Sequence, residues 1–123
     1  MTEIVYKILP GLDLAVARRI GRYAGSADDL RDGFIHLSAA DQLEGTLAKH
    51  FAGQNGLFLL AVDADKLGAQ LRWEPSRGGA LFPHLYAPLP LGSVFWAAPI
   101  ELDAAGLHVL PRQLHLDPLD RGA

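Results

Sequence analysis

The hydrophobic positions in the first quarter of the chain change from an unbroken run to a helical period. β-Branched and aromatic residues dominate positions 3–9, up to Pro10 and Gly11, and predict a first strand. Apolar side chains then recur at helical spacing, which predicts an amphipathic helix over 12–24. The apolar stripe of that helix consists of Leu12, Val16, Ile20 and Tyr23.

A short strand followed by a capped helix is predicted next, over 34–37 and 39–52. Ser38 is followed three residues later by an acid, a pattern that resembles a capping box, so Ser38 is expected to cap this helix. The core stripe of the helix is expected to be Leu43, Leu47 and Phe51. Gly45 lies inside the helix at a cost of about 1 kcal/mol relative to alanine. Two explanations are open: the close approach of another element or of a ligand, and crowding by the sheet.

The remaining hydrophobic segments are short and are separated by proline, glycine or charged residues, as strands are. They are 57–62, 71–74, 81–86, 93–102 and 106–110. Two early helices and a strand-rich second half predict a single α+β domain over 1–110. In it the two helices pack on a mixed, mostly antiparallel sheet. Residues 111–123 are expected to form an extended tail.

Composition removes several classes of function. The 123 residues are 50% hydrophobic and carry a formal net charge of −3, with no basic stripe of the kind that nucleic-acid binders show. No apolar run approaches the ~20 residues that cross a bilayer. The chain has no cysteine, so thiolate catalysis and cysteine-ligated metals are excluded. We expect a cytoplasmic protein without a metal centre and without nucleic-acid or membrane partners.

The first candidate constellation is the GFIHLS segment, residues 33–38. Side chains alternate across a strand, so His36 and Ser38 are expected on one face, at a strand-to-helix junction. Gln42 and Thr46 extend this polar patch along the helix, whose free N–H groups attract anionic or polar ligands. In the alternative interpretation Ser38 is only a cap and His36 is a structural histidine.

The second constellation is FPHLY, residues 82–86. His84 and Tyr86 lie two apart on a strand, which places a titratable ring beside an aromatic hydroxyl. Pro83 predicts an edge strand or a bulge, because proline cannot donate to the ladder. The alternative is a structural histidine beside a core tyrosine.

The third constellation is RWEPSRGG, residues 72–79. Arg72 and Glu74 share a strand face, and the glycine-rich loop that carries Arg77 is able to approach phosphate oxygens. The alternative here is a surface ion pair followed by an ordinary turn.

The motifs GFIHLS, LRWEPSRGG and FPHLYAPLPL together resemble a family of small bacterial proteins catalogued as domain of unknown function 952. The resemblance extends over roughly residues 4–100. More distantly, that family is similar to the ADP-ribosyltransferase-like fold, which binds NAD in the cleft of a split β-sheet.

This second similarity implies roles for particular residues. His36 matches a histidine that holds a ribose hydroxyl, and Tyr86 matches an aromatic ring that stacks on nicotinamide. The acid that polarises the reacting ribose corresponds to either Glu74 or Glu101. The diphosphate of NAD requires positive partners, for which the candidates are Arg18, Arg22, Arg72 and Arg77.

Two hypotheses follow for function. In the first, a pocket binds NAD, ADP-ribose or a related nucleotide, and the protein transfers ADP-ribose or cleaves NAD. The catalytic candidates are His36, Glu74, His84 and Tyr86, and the ligand-binding candidates are Ser38, Gln42, Thr46, Arg72 and Arg77. In the second, the protein is a non-catalytic ligand-binding or interaction module with structural histidines. In this case an edge strand or the segment 83–91 meets a partner or a second copy of the chain.

Overall fold

A computed structural model describes residues 3–116 and has the expected α+β architecture. Within this range every strand pair is antiparallel, which confirms a mostly antiparallel β-structure. The strands are β1 Ile4–Pro10, β2 Arg22–Tyr23, β3 Ile35–His36, β4 Leu57–Asp63, β5 Leu71–Pro75, β6 Leu81–Leu85, β7 Leu89–Pro90, β8 Val94–Leu102 and β9 His108–Val109. The α-helices are α1 Gly11–Ile20, α2 Ala27–Asp32 and α3 Leu43–His50.

The strands form three sheets in the order β1-β4-β8-β9, β3-β6-β5 and β2-β7. β1 is an edge strand of the largest sheet. The free edge of β1 meets the chain just after β3, where Tyr6 and Ser38 exchange backbone hydrogen bonds of 2.8 and 2.9 Å. This bridge holds the three-stranded sheet beside the large one and leaves a cleft next to β1.

The large sheet separates two hydrophobic clusters. Alternate residues of β1 enter different clusters, with Val5 and Leu9 in one and Tyr6 and Ile8 in the other. Lys7 lies between Val5 and Leu9 on the same face of the strand, because side chains two apart point the same way. A lysine is thereby buried, with 6% of its surface exposed.

The first helix buries a different face from the one that its apolar stripe predicts. Leu12, Val16 and Ile20 are 82%, 54% and 58% exposed, whereas Leu14 and Ala17 are buried. The helix begins at Gly11, directly after β1, so the rotation of its first turn is set by the end of the strand. It ends at Ile20 and is capped by Gly21, which adopts the left-handed conformation, and Tyr23 is buried in β2 instead.

Three α-helices precede residue 51, so the prediction of two N-terminal helices is wrong in its count. The unpredicted helix α2 begins with a capping box, in which the Ser26 hydroxyl accepts from the Asp29 N–H and the Asp29 carboxylate accepts from the Ser26 N–H. A six-residue helix carries too few periodic positions to be recognised from the hydrophobic pattern.

The helix predicted over 39–52 is shorter and is capped differently. A 3₁₀ turn at Ala40–Gln42 leads into α3, and the Ala39 N–H donates to the side chain of Gln42. Ser38 is therefore not the cap that the sequence suggested. Its hydroxyl lies 3.2 Å from the hydroxyl of Thr46.

β6 is the middle strand of its sheet, and its register with β5 is continuous through Pro83, so neither the edge position nor the bulge expected for Pro83 is found. The Pro83 carbonyl accepts from the Leu37 N–H at 3.0 Å, but proline has no N–H with which to return the bond. The β3–β6 ladder stops at that pair, and β3 is only two residues long.

The segment after residue 110 is partly helical within the described range. Arg112–Leu116 form a 3₁₀ helix, and Leu114 packs against the second hydrophobic cluster. The first residues of the predicted tail are therefore not extended, and 117–123 lie outside the described residues. None of the helices between residues 3 and 116 has the length and hydropathy that a membrane span requires.

Candidate functional site

The two motif histidines meet across one strand pair. His36 and His84 are directly opposite in the β3–β6 register, with ring centroids 5.9 Å apart. Phe34 packs against both rings, stacked on His84 at 4.0 Å and tilted toward His36 at 4.6 Å. Both imidazoles line a single cleft of about 300 Å³.

The cleft lies where β1, α2, α3 and the three-stranded sheet come together. Its volume is at the lower end of the range for small-molecule sites. Most of the residues that line it have polar or charged side chains; they are Lys7, Ser26, Asp28, Asp29, Arg31, Asp32, His36, Ser38, Thr46, Lys49, His50, Ser76, Arg77 and His84.

A buried ion pair forms the floor of the cleft. The Lys7 ammonium donates to Asp29 Oδ2 at 2.9 Å and to the His36 carbonyl at 3.0 Å. Asp29 is 3% exposed and also accepts from the backbone N–H groups of Ser26 and His36. This network ties β1, α2 and β3 together and fixes the position of His36.

The environment of this pair shifts the pKa values of both members. Burial raises the pKa of Asp29, but the hydrogen bond from His36 and the charge of Lys7 outweigh it and hold that pKa well below its usual range. Burial lowers the pKa of Lys7, and the neighbouring Asp29 carboxylate opposes that shift. Asp29 therefore stays ionised and is paired with a cation.

His36 is held at both ends of its ring. Nδ1 lies 2.6 Å from Asp29 Oδ1, and Nε2 lies 2.9 Å from Asp32 Oδ2. A carboxylate oxygen therefore lies within contact distance of each ring nitrogen. The hydrogen bond from Arg31 lowers the pKa of Asp32, and His36 adds to that effect. His36 thus presents to the cleft a fixed ring whose two nitrogens both face carboxylate oxygens.

His84 is held at one end only. Its Nδ1 lies 2.9 Å from Glu74 Oε1, and the Tyr86 hydroxyl donates to the same oxygen at 2.6 Å. The hydrogen bond from Tyr86, followed by that from His84, lowers the pKa of Glu74, so the carboxylate is ionised and Nδ1 carries the hydrogen. In the neutral ring Nε2 then holds the lone pair, and no residue in the described chain is bonded to it. The ring has the arrangement of a general base.

Three predicted residues lie behind His84 rather than in the cleft. Glu74 and Tyr86 reach the site only through the His84 ring, and the Arg72 guanidinium lies 4.9 Å from the centre of the Tyr86 ring. Glu74 thus holds His84 in place, and Tyr86 holds Glu74.

Other predicted residues lie elsewhere. The Gln42 amide donates to the Leu81 carbonyl at 2.7 Å and so ties the 3₁₀ turn to β6. Glu101 lies on β8, opposite Val109 of β9, in the large sheet. Arg18 and Arg22 are exposed on α1 and β2. None of these four residues lines the cleft.

Ser38, Thr46 and Arg77 come from separate segments of the chain and lie close together in the structure. The Ser38 and Thr46 hydroxyls are in contact, and Arg77 Nη1 donates to Thr46 Oγ1 at 3.5 Å. Lys49 and His50, at the end of α3, line the same part of the cleft.

Sequence reasoning missed the residues that form the floor, Lys7 and Asp29. Lys7 is the one charged side chain within the apolar run of the first strand, which is a signal of burial with a partner. Ser26 followed three residues later by Asp29 is a capping-box pattern. Among residues 3–116, no group of three or more histidine or acidic side chains has an arrangement suited to a metal ion.

Comparison with known proteins agrees with the motifs. The family model described as "Protein of unknown function (DUF952)" matches residues 8–97. The chain belongs to this family. No curated protein sequence matches it.

Solved structures of one relative have the same fold. The crystal structure of protein CC0527 from Caulobacter crescentus is 52% identical and superposes with a TM-score of 0.86, covering 91% of this chain and 98% of that one. The solution structure of the same protein gives a TM-score of 0.80 at 52% identity, covering 93% and 98%. The fold described for this chain is thus also found in an experimentally determined relative.

Proposed function

We propose that this DUF952 protein binds a small nucleotide-type ligand of the NAD and ADP-ribose class in the cleft, and that His84 acts there as a general base. The observation that carries the proposal is the unequal bonding of the two facing histidines. His36 has both ring nitrogens bound to carboxylates, whereas His84 keeps Nε2 free beside a cavity.

The charge of the cleft supports an anionic ligand. Four Lys or Arg side chains line it against three Asp side chains, although the whole chain carries a net charge of −3. The three acids are Asp28, Asp29 and Asp32, and each is paired with a basic side chain of the same cleft. The unpaired charge that remains is positive and attracts phosphate-bearing molecules.

The proposed chemistry uses the lone pair of His84. Nε2 takes the proton of a water or an acceptor alcohol as that oxygen bonds to the anomeric carbon of the ribose. The bond from this carbon to the nicotinamide nitrogen breaks, and its electron pair leaves with neutral nicotinamide. The Glu74 carboxylate, 2.9 Å from Nδ1, stabilises the imidazolium that forms. In this scheme Glu74 and Tyr86 are positioning residues rather than groups that touch the substrate.

Calorimetric titration with NAD, ADP-ribose and AMP, together with a chromatographic assay for nicotinamide, tests the proposal. We expect binding to the wild-type protein and release of nicotinamide from NAD. His84→Gln should keep the binding and lower the release at least ~100-fold, the lower range for general-base catalysis. His108→Gln is the matched control, because His108 bonds to the Gln54 carbonyl away from the cleft. No binding of any of the three ligands to folded protein would contradict the proposal.

A non-catalytic binding module is the second candidate. The observation that favours it is His36, whose two ring nitrogens are occupied by Asp29 and Asp32 in a structural arrangement. Under this alternative ADP-ribose binds, no nicotinamide is released, and His84→Gln changes only the affinity. The same two assays therefore separate the candidates.

A further inference from the structure

We propose that the end of the cleft between α3 and residues 76–79 is a phosphate-binding subsite, with Arg77 as its principal ligand and with Lys49 and His50 beside it. This inference deepens the proposed function, on which it rests for the nucleotide that carries the phosphate. It assigns the anionic group of the ligand to one place and leaves Arg18, Arg22 and Arg72 outside the site.

The Arg77 guanidinium is held by contacts that leave most of its hydrogen-bond donors unused. Nη1 donates to Thr46 Oγ1, and the guanidinium carbon lies 4.8 Å from the centre of the Phe82 ring. A Cβ added at Gly45 would meet Nη2 at 3.0 Å, so this glycine makes room for the group. Of the five N–H donors of arginine, the described chain accepts from only one. The others are available to the oxygens of a phosphate, which a guanidinium binds in bidentate fashion.

Arg77 also lacks a counter-ion. It is half-buried, and no carboxylate in the described chain lies within ion-pair distance of it. Lys49 and His50 also line the cleft; they are exposed, and neither forms an ion pair with a carboxylate of the described chain. A half-buried cation without a partner is costly, and a bound anion removes that cost.

The pKa of His50 is sensitive to the positive charges of Lys49 and Arg77. Burial lowers the pKa of His50, and the charges of Lys49 and Arg77 lower it further, followed by a smaller contribution from His36; Asp28 acts in the opposite direction. An anion placed among these groups would cancel the repulsion. Bound phosphate should therefore raise the pKa of His50, which supplies a readout independent of any nucleotide.

The experiment compares AMP with adenosine by calorimetric titration. We expect AMP to bind the wild-type protein at least ~10-fold more tightly, which corresponds to one charge-assisted hydrogen bond. Arg77→Gln should reduce the affinity for AMP to that for adenosine and leave adenosine binding unchanged. Arg77→Lys should recover only part of the difference, because lysine keeps the charge without the planar fork of donors. Arg18→Gln is the matched control, because Arg18 is exposed on α1 and does not line the cleft, and it should change neither affinity.

A second measurement uses inorganic phosphate as the probe and NMR as the readout. Phosphate should raise the pKa of His50 in the wild-type protein and leave it unchanged in Arg77→Gln. If adenosine binds and neither AMP nor phosphate shows any preference for Arg77, the subsite is wrong while the proposed function stands. If no nucleotide binds but phosphate acts on His50 through Arg77, the subsite stands and the proposed function is wrong.

Discussion

Lys7 and Asp29 form an ion pair of 2.9 Å between the middle of the first strand and the second helix, and both side chains are almost completely buried. The pair orients His36 and forms the floor of the cleft. Its position explains why a short polar helix is fixed against a hydrophobic sheet.

Asp29→Asn should destabilise the fold by about 3–5 kcal/mol, because the substitution leaves the buried Lys7 ammonium without its counter-ion. Chemical denaturation measures this loss. Asp28→Asn is the control: Asp28 is exposed and pairs only with Arg31, so little change is expected. The double variant Lys7→Met with Asp29→Asn should lose less than the sum of the two single losses. If the loss of stability in the double variant equals the sum of the two single losses, Lys7 and Asp29 do not stabilise each other as a buried ion pair.

The wild-type protein should lose stability as the pH falls below about 4. The pKa of Asp29 lies below its unfolded value of about 3.9, so the folded state binds fewer protons than the unfolded state in this range. The stabilisation is complete above the unfolded pKa and is lost as the pH falls toward the folded one. The melting temperature measured from pH 2 to 7 should therefore fall less steeply in Asp29→Asn. An equal slope in both proteins would count against a lowered pKa of Asp29 in the folded state.

Glu74→Gln should allow the His84 ring to adopt either of its two neutral tautomers. In the wild-type protein the ionised carboxylate holds the hydrogen on Nδ1, whereas a glutamine side chain can either accept from Nδ1 or donate to it. Nitrogen NMR of the imidazole should show a single tautomer in the wild-type protein and a mixture in the variant. Tyr86→Phe serves as the comparison, since it leaves the carboxylate in place. A wild-type His84 with its hydrogen on Nε2 would contradict the proposed base.

Gly45→Ala should raise the stability of α3 while weakening phosphate binding. Alanine is favoured over glycine inside a helix by about 1 kcal/mol, and Gly45 does not have a positive φ. The added Cβ lies 3.0 Å from Nη2 of Arg77, so the guanidinium must move away. A higher melting temperature with a lower affinity for AMP is expected from thermal unfolding and calorimetry. Unchanged AMP affinity would show that the position of Arg77 is irrelevant to binding.

Substitutions on the two faces of α1 should change the stability by very different amounts. Val16→Lys changes an exposed side chain and should alter stability by no more than about 0.5 kcal/mol. Leu14→Ala creates a cavity in the first hydrophobic cluster and should cost about 2–5 kcal/mol. Chemical denaturation of the two variants decides which face is buried. A large loss in Val16→Lys would favour the stripe that the sequence pattern suggested.

Strand alternation and local motifs predicted which side chains lie close together when these are near in sequence or share a strand face. His84 and its neighbours on β6 and β5 occupy one face because side chains alternate along a strand. The hypothesis that the two motifs form one site required His36 and His84 to lie close together, and the β3–β6 register places them opposite each other. The pattern also located α3 and its core residues Leu43 and Leu47.

The errors have a common physical cause, which is that tertiary contacts select between locally equivalent choices. The first helix has two apolar stripes, and the chain's exit from β1 determines which of them is buried. Ser38 was a suitable cap, but the Gln42 side chain took the Ala39 N–H and Ser38 bonded to Thr46. Lys7 and Asp29 are 22 residues apart, and neither motif analysis nor periodicity detects such a pair.

The most direct test of the account is a chemical-shift titration of the assigned protein with ADP-ribose. Saturable shifts are expected around the cleft, at His36, Thr46, Arg77 and His84, with His108 unaffected. The shift at His84 should persist in Arg77→Gln at a weaker affinity. Absence of saturable shifts, or shifts confined to β8 and β9, would contradict a ligand site between the two histidines.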